Sequence, residues 1–250
     1  MNASISSRRP SGLLDAATGW ASRHAWFIED ELEAFAGLIR PDSVCVDVGA
    51  EFGLYTSQMW LRSRAQVLAV EANPVLAGRL ARAARLLGDR GRLTVKRAAL
   101  GEEDGGEVRL AVPYRRGHAV YGRAYVADDL EPGEIYRDEF SETRVLSTPR
   151  RSLDSLIGEL NLPRVDVLKA DIEGAELEMI RGARRTLEKY HPVAMLEIEE
   201  RHLEKYGHSA ADVFDEMAAL GYRAFALEGD RWRPTAGLVD GRRNYLFAAE

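Results

Sequence analysis

The chain has 250 residues, of which 46% are hydrophobic and 30% charged, a profile that excludes a disordered or fibrous chain and allows one large domain. Its 40 acidic against 34 basic side chains leave a formal charge of -6, which argues against general affinity for nucleic acid or membrane surfaces and makes a small molecule the expected partner. The single cysteine, Cys45, excludes an intrachain disulfide and a multi-cysteine zinc site, and makes the reducing cytoplasm the expected compartment.

Residues 1–25 open on the polar stretch MNASISSRRPSG, which has no secretory apolar core and reads as a flexible lead-in to one domain over 26–250. No apolar run approaches the ~18 residues that a bilayer span needs. Residues 27–39 carry apolar side chains at helical spacing until the Arg40-Pro41-Asp42-Ser43 break. A short apolar strand over 44–48 then runs into a glycine turn at 49–53 and a helix over 54–62. The alternation repeats as strand 66–70, helix 74–87 opened by Pro74, and strand 93–98. It resumes with strand 165–170, helix 176–190, strand 193–198 and helix 210–220.

Strands 222–227 and 244–248 have only a polar connection between them and are expected to pair as an antiparallel, hairpin-like edge. The predicted fold is therefore α/β, with a mostly parallel sheet and an antiparallel C-terminal strand. Between 101 and 148 the alternation lapses. A strand over 108–112 is followed by a long polar, tyrosine-rich segment over 113–148, of a length that makes it a candidate substrate lid.

Asp47 closes the first strand, and Gly49 and Gly53 form the turn, where a nucleotide-like ligand can approach the backbone. The order Asp47-x-Gly49-x-x-x-Gly53 lacks the G-x-G-x-x-G of dinucleotide sites, so an NAD-dependent oxidoreductase is the lesser alternative. Glu71 ends the second strand 24 residues after Asp47, where a carboxylate can accept hydrogen bonds from both hydroxyls of a ribose. Lys169, Asp171 and Glu173 gather at the end of the fourth strand, and a lysine in so apolar a strand is expected to pair with one of these carboxylates.

With these residues in place, the chain resembles the FkbM family of S-adenosylmethionine-dependent methyltransferases. The likeness is carried by DVGAEFGLYT, VLAVEANP, SLDSLI, VDVLKADIEGAELEMIRGA, PVAMLEIE and NYLF, and extends roughly over residues 26–247. The resemblance implies a Rossmann-like class I methyltransferase sheet and S-adenosyl-L-methionine as cofactor. Asp47, Gly49, Ala50, Phe52 and Gly53 would wrap its methionine portion, Glu71 would hold the ribose beside Ala72 and Asn73, and residues 98–101, Ala99 among them, would approach the adenine. Glu51 stands where the family commonly has asparagine, and would either attract the cofactor's cationic groups or face water.

The implied reaction is methylation of a hydroxyl on a small, oxygen-rich metabolite, a glycoside or polyketide-type product. Positioning carries most of such catalysis, and a base must take the hydroxyl proton. Asp171, counted also with the cofactor residues, is the first expectation for that base, Glu173 the second and His118 a reserve, with Lys169 beside them. Glu197, Glu199 and His202 follow the fifth strand and would contact the acceptor, as would Tyr114, His118 and Tyr121 of the 113–148 segment, whose other aromatics are Tyr125 and Tyr136. The sequence leaves room for a divalent cation on Asp171 and Glu197, for a homo-oligomer, and for an alternative role as a catalytically idle cofactor-binding module. Arginine pairs at 150–151, 184–185 and 242–243 read as solvated faces.

Overall fold

A computed structural model describes residues 31–87, 91–128, 130–133 and 135–249. The expected lead-in, and the start of the helix predicted over 27–39, lie outside the described residues; that helix is seen as Glu31–Ala36.

Among the described residues, thirteen strands form two sheets. In chain order they are β1 (Val44–Val48), β2 (Gln66–Glu71), β3 (Leu93–Arg97), β4 (Ala99–Leu100), β5 (Gly105–Arg115), β6 (His118–Ala119) and β7 (Tyr125–Val126), then β8 (Glu142–Arg151), β9 (Val167–Ala170), β10 (Val193–Glu197), β11 (Tyr222–Glu228), β12 (Arg231–Pro234) and β13 (Asn244–Ala249). The large sheet has the order β12-β11-β13-β10-β9-β1-β2-β3. From β10 to β3 every pairing is parallel, whereas β13 runs antiparallel to both β10 and β11. This is the Rossmann-like α/β sheet that the alternation of elements predicts.

Strand β1 is buried along its whole length because both faces of the sheet are covered. Val46 and Val48 point into one apolar cluster with Leu168, Ala170 and Leu196, and Cys45 into the opposite one with Val67, Val167 and Met195. Each fully buried Val or Leu contributes about 1.5–3 kcal/mol relative to exposure. The same alternation puts Asp47 and Lys169, which are register partners, side by side on one face.

Strands β11 and β13 pair antiparallel as expected, but three other expectations are corrected. The pair is not the edge of the sheet: β13 lies between β10 and β11, and β12, unforeseen in the polar connection, pairs with the outer side of β11. Nor is 113–148 a structureless loop, because β5 and β8 pair antiparallel and with β4, β6 and β7 make a second, five-stranded sheet. Only the 108–112 part of β5 is visible in the sequence, because the outward residues of β8 and of the ends of β5 are charged on a solvated sheet face, which masks the apolar period. The helix predicted over 176–190 is two helices, Glu176–Gly182 and Arg184–Tyr190, broken where Gly182 packs against the Gly101 backbone and leaves no room for a Cβ.

Candidate active site

The carboxyl ends of β1, β2, β9 and β10 open on a cavity of about 400 Å3, also lined by residues 121–126, a short 3-10 turn leading into β7 of the second sheet. Parallel strands deliver their ends to one edge, so side chains far apart in sequence meet there.

Gly49 turns the chain after β1 with φ 73°, and a Cβ at this position would overlap the Asp171 carbonyl oxygen. The amides of Gly49 and Ala50 both donate to the Val70 carbonyl, at 2.9 and 3.2 Å, which ties the turn to β2. Glu71 is buried with each carboxylate oxygen anchored: Oε2 accepts from the Glu51 amide and Oε1 from the Asn73 amide, both at 2.7 Å. An ionised carboxylate oxygen has more than one acceptor position, so Glu71 retains capacity toward the cavity. Burial nevertheless pushes its pKa up, against the pull of those two amides.

Asn73 Oδ1 caps the Pro74–Leu86 helix by accepting from Val75 N at 2.9 Å, while its Nδ2, in a side chain lining the cavity, is buried without a hydrogen-bond partner. An orphaned donor beside an anchored carboxylate suits a hydroxyl-bearing ligand. Asp47 receives the Thr56 hydroxyl, and burial pushes its pKa up to about 6 despite Thr56 and Lys169. Glu51, held at φ 46°, is raised to about 7 by burial and by its neighbours Asp171 and Glu71.

Lys169 is fully buried, with Nζ 3.7 Å from Asp171 Oδ2, 3.2 Å from the Ala170 carbonyl to which it donates, and 4.9 Å above the Tyr55 ring. The expected ion pair is thus made to Asp171. Burial works against the Asp171 charge, but Lys169 and a hydrogen bond from Glu197 hold its pKa below the usual value. Glu197 is the protonated partner, driven well up by burial and by the Asp171 charge. Among the described residues no group of three or more His, Cys, Asp or Glu is arranged to hold a metal ion, and the two carboxyls foreseen for a cation are instead hydrogen-bonded to each other.

Glu173 adopts φ 57°, and a Cβ on the following Gly174 would overlap the His202 carbonyl. This close packing seats His202 in the interior, with Nδ1 3.1 Å from Glu173 Oε2 and Nε2 2.8 Å from Arg123 Nη1. Burial and Lys205 push its pKa down to about 3, so the ring is neutral. Burial and the Asp171 charge raise Glu173 to about 8, although Lys205 stands 3.8 Å away.

The structure brings Gly49, Glu51, Glu71, Ala72, Asn73, Ala99, Tyr121, Asp171, Glu173, Glu197 and Glu199 to this cavity. Asp47, Ala50, Phe52, Gly53 and Lys169 line a neighbouring hollow of about 690 Å3, which Gly49, Glu51 and Asp171 share. His202 backs the wall through Arg123 and Glu173. Tyr114 and His118 are not brought to either: Tyr114 lies under the Arg144 guanidinium at 4.2 Å, and His118 is exposed on the short β5–β6 hairpin.

Sequence reading missed Arg123 and Arg243 as wall residues, and gave Tyr125, also in the wall, no separate role. Arg243, read as part of a solvated pair, is 61% exposed yet lines the cleft, because the antiparallel β10–β13 register places it beside Glu199. That register was the one available signal. Tyr121 meets Phe52 edge-on, with ring centroids 5.6 Å apart, so the second sheet touches the glycine turn across the cleft.

A family model described as "Methyltransferase FkbM domain" matches residues 47–224. The chain is 28% identical over 149 residues to "Methyltransferase 1" of Beauveria bassiana, covering 56% of this chain and 58% of that protein. It is 26% identical over 156 residues to "2-O-methyltransferase NoeI" of Sinorhizobium fredii, covering 61% of this chain and 62% of the relative. The chain thus spans less than two thirds of the length of these relatives. The crystal structure of "Methyltransferase FkbM" from Methylobacillus flagellatus KT superposes with TM-score 0.51 at 18% identity, covering 85% of this chain and 45% of the other, a likeness of fold.

Proposed function

The chain belongs to the FkbM methyltransferase family, and from that premise we propose that it transfers a methyl group from S-adenosylmethionine to a hydroxyl of a small, oxygen-rich acceptor. The name of the relative "2-O-methyltransferase NoeI" supports oxygen as the methylated atom; a glycoside or polyketide-type product is the acceptor class of this proposal. The observation that carries the cofactor half is Glu71. Both its oxygens are fixed by backbone amides, their remaining acceptor capacity faces the cavity, and the unpartnered Asn73 Nδ2 lies next to it.

These residues fit the cofactor by charge as well as by hydrogen bonding. Asp47, Glu51, Glu71 and Asp171 surround the glycine turn, and such an excess of carboxylates complements a ligand bearing a sulfonium and an ammonium. Glu71 and Asn73 would hold the ribose, and the turn from Asp47 to Gly53 the methionine portion. When bound, the cofactor supplies an electrophilic methyl carbon.

Asp171 is the proton acceptor in this reading. Lys169 keeps it ionised, and the hydroxyl proton becomes acidic as its oxygen bonds to carbon, so a carboxylate of depressed pKa suffices. Glu197 donates to Asp171 and fixes its orientation. Residues 121–126 serve as the lid, resting through Tyr121 on Phe52 and excluding water once the acceptor is in place.

Calorimetry with S-adenosylhomocysteine tests the reading. Glu71→Gln keeps the side-chain shape and is expected to weaken binding by about tenfold or more, in line with hydrogen bonds to a charged group at roughly 1.5–3 kcal/mol. Asp47→Ala should weaken it as well. Equal binding by wild type and both variants would overturn the proposal.

A further inference from the structure

The far end of the cavity, beyond Asp171, has a different charge character from the cofactor end. Arg123 enters its wall from the segment before β7, and Arg243 from the residue preceding β13. A guanidinium can only donate, so His202 Nε2, 2.8 Å from Arg123 Nη1, is an acceptor and its ring uncharged. Arg123 also bonds the Tyr136 phenol. The Glu173 carboxylate, in the same wall, feels the Arg123 charge, but among the described residues no carboxylate stands within ion-pair distance of Arg123.

Arg243 shares the carboxylate it pairs with. Glu199 Oε1 is 3.4 Å from Arg243 Nε, while Oε2 of the same carboxylate accepts from Arg201 at 2.7 Å. Asp171 is engaged by Lys169. Arg123, Arg201 and Arg243 thus share the carboxylates of Glu173 and Glu199, while Glu197 is hydrogen-bonded to Asp171. A half-buried guanidinium with no carboxylate in direct contact is better satisfied when a ligand supplies the counter-charge, and its planar donor fork matches an oxyanion.

We propose that Arg123, assisted by Arg243, is a recognition site for an oxyanion on the acceptor, a carboxylate or phosphate carried near the hydroxyl that is methylated. The proposal rests on the methyl-transfer reading for the word acceptor alone; the anion site stands on the two arginines and the cavity they share. It narrows the acceptor class from neutral polyols to acidic ones, such as uronic acids or sugar phosphates. It also gives the lid a purpose, because Arg123 lies within residues 121–126 and an anion there would pull the lid onto the β9–β10 end of the cleft.

The test is calorimetric titration with inorganic sulfate, on the protein alone and on protein saturated with S-adenosylhomocysteine. Wild type is expected to bind sulfate saturably. Arg123→Gln should weaken that binding about tenfold, Arg123→Lys should retain part of it because the charge remains, and Arg243→Gln should cost about threefold because that side chain is more exposed. Titration with glucuronate, glucose 6-phosphate and methyl glucoside then separates the sources. Glucuronate preferred over methyl glucoside identifies a carboxylate, glucose 6-phosphate a phosphate, and in either case the preference should vanish in Arg123→Gln. Absence of saturable sulfate binding in wild type, or equal binding in Arg123→Gln of unchanged melting temperature, overturns the proposal. Sulfate binding through Arg123 without any S-adenosylhomocysteine binding would instead refute the methyl-transfer reading and leave the anion site standing.

Discussion

The two halves of the cleft are built by different means. Around Glu71 the site is made by backbone: amides of residues 51 and 73 hold the carboxylate, amides of 49 and 50 hold the turn to β2, and glycine provides the close approach to Asp171. Around Glu173 it is made by side chains, with His202, Arg123, Lys205 and Tyr136 holding one another from three separate segments. Backbone-built sites tolerate few residue types at fixed short spacing, whereas side-chain networks can be rebuilt from many combinations. The first half suits one invariant ligand and the second an acceptor that differs between proteins of one fold.

The comparison can be broken at the turn first. Gly49→Ala adds a Cβ where the Asp171 carbonyl already stands and imposes a left-handed backbone on alanine, at an expected cost of roughly 3 kcal/mol or more. A chain of this length should then melt about 6–12 °C lower by calorimetry. A melting temperature within a degree or two of wild type would mean that the turn yields, and that backbone rigidity is not what defines this half.

A mutation in the shared wall should separate chemistry from binding. Asp171→Asn is expected to lower the single-turnover methyl-transfer rate by about 10²- to 10⁴-fold, while S-adenosylhomocysteine affinity changes far less. A matching loss in both would assign Asp171 to holding the cofactor and not to proton transfer.

Titration sharpens the contrast further. Glu51 and Asp47 have folded pKa values of about 7 and about 6, above their ordinary values, so they bind protons more tightly folded than unfolded. Their contribution to stability is full below the unfolded pKa near 4 and is lost as pH rises through 6 to 7. A cationic ligand prefers their ionised forms, so S-adenosylmethionine affinity should climb over the same window while the melting temperature of the free protein falls. Glu51→Gln should flatten the affinity profile by several-fold between pH 6 and pH 8, read by calorimetry at several pH values. An unchanged profile would place the Glu51 charge in water, the other expectation for this residue.

The smallest effect is expected outside both halves. His118→Ala should leave methyl transfer within about twofold of wild type, since His118 is exposed on a hairpin remote from the cavity walls. A large loss in initial-rate assays would return it to the list of proton acceptors.

How much of this was legible in the sequence follows the same division. β1, its turn and Glu71 belong to one strand–helix–strand unit, their glycines and acids sit at spacings fixed by strand and turn geometry, and the parallel sheet was readable from the strand–helix alternation. Asp171 and Lys169 were legible because charges at the end of an apolar strand need a reason. Arg123 was not, since its importance depends on how the second sheet folds back over β10, and nothing local to Gly122 and Ala124 announces it. His202 was named as an acceptor contact, but nothing in its local sequence foretells its burial, which the close approach of Gly174 explains. Tyr114 and His118 were chosen for composition, which carries no direction.

The central claim, that anchored carboxylates grip an adenosine-bearing cofactor at the ends of neighbouring strands, is tested most directly by a crystal structure with S-adenosylhomocysteine. The account predicts both ribose hydroxyls within about 2.5–3.2 Å of the Glu71 carboxylate and a ligand acceptor on Asn73 Nδ2. Ligand bound elsewhere, or bound in the cleft with Glu71 and Asn73 making no contact, would contradict it.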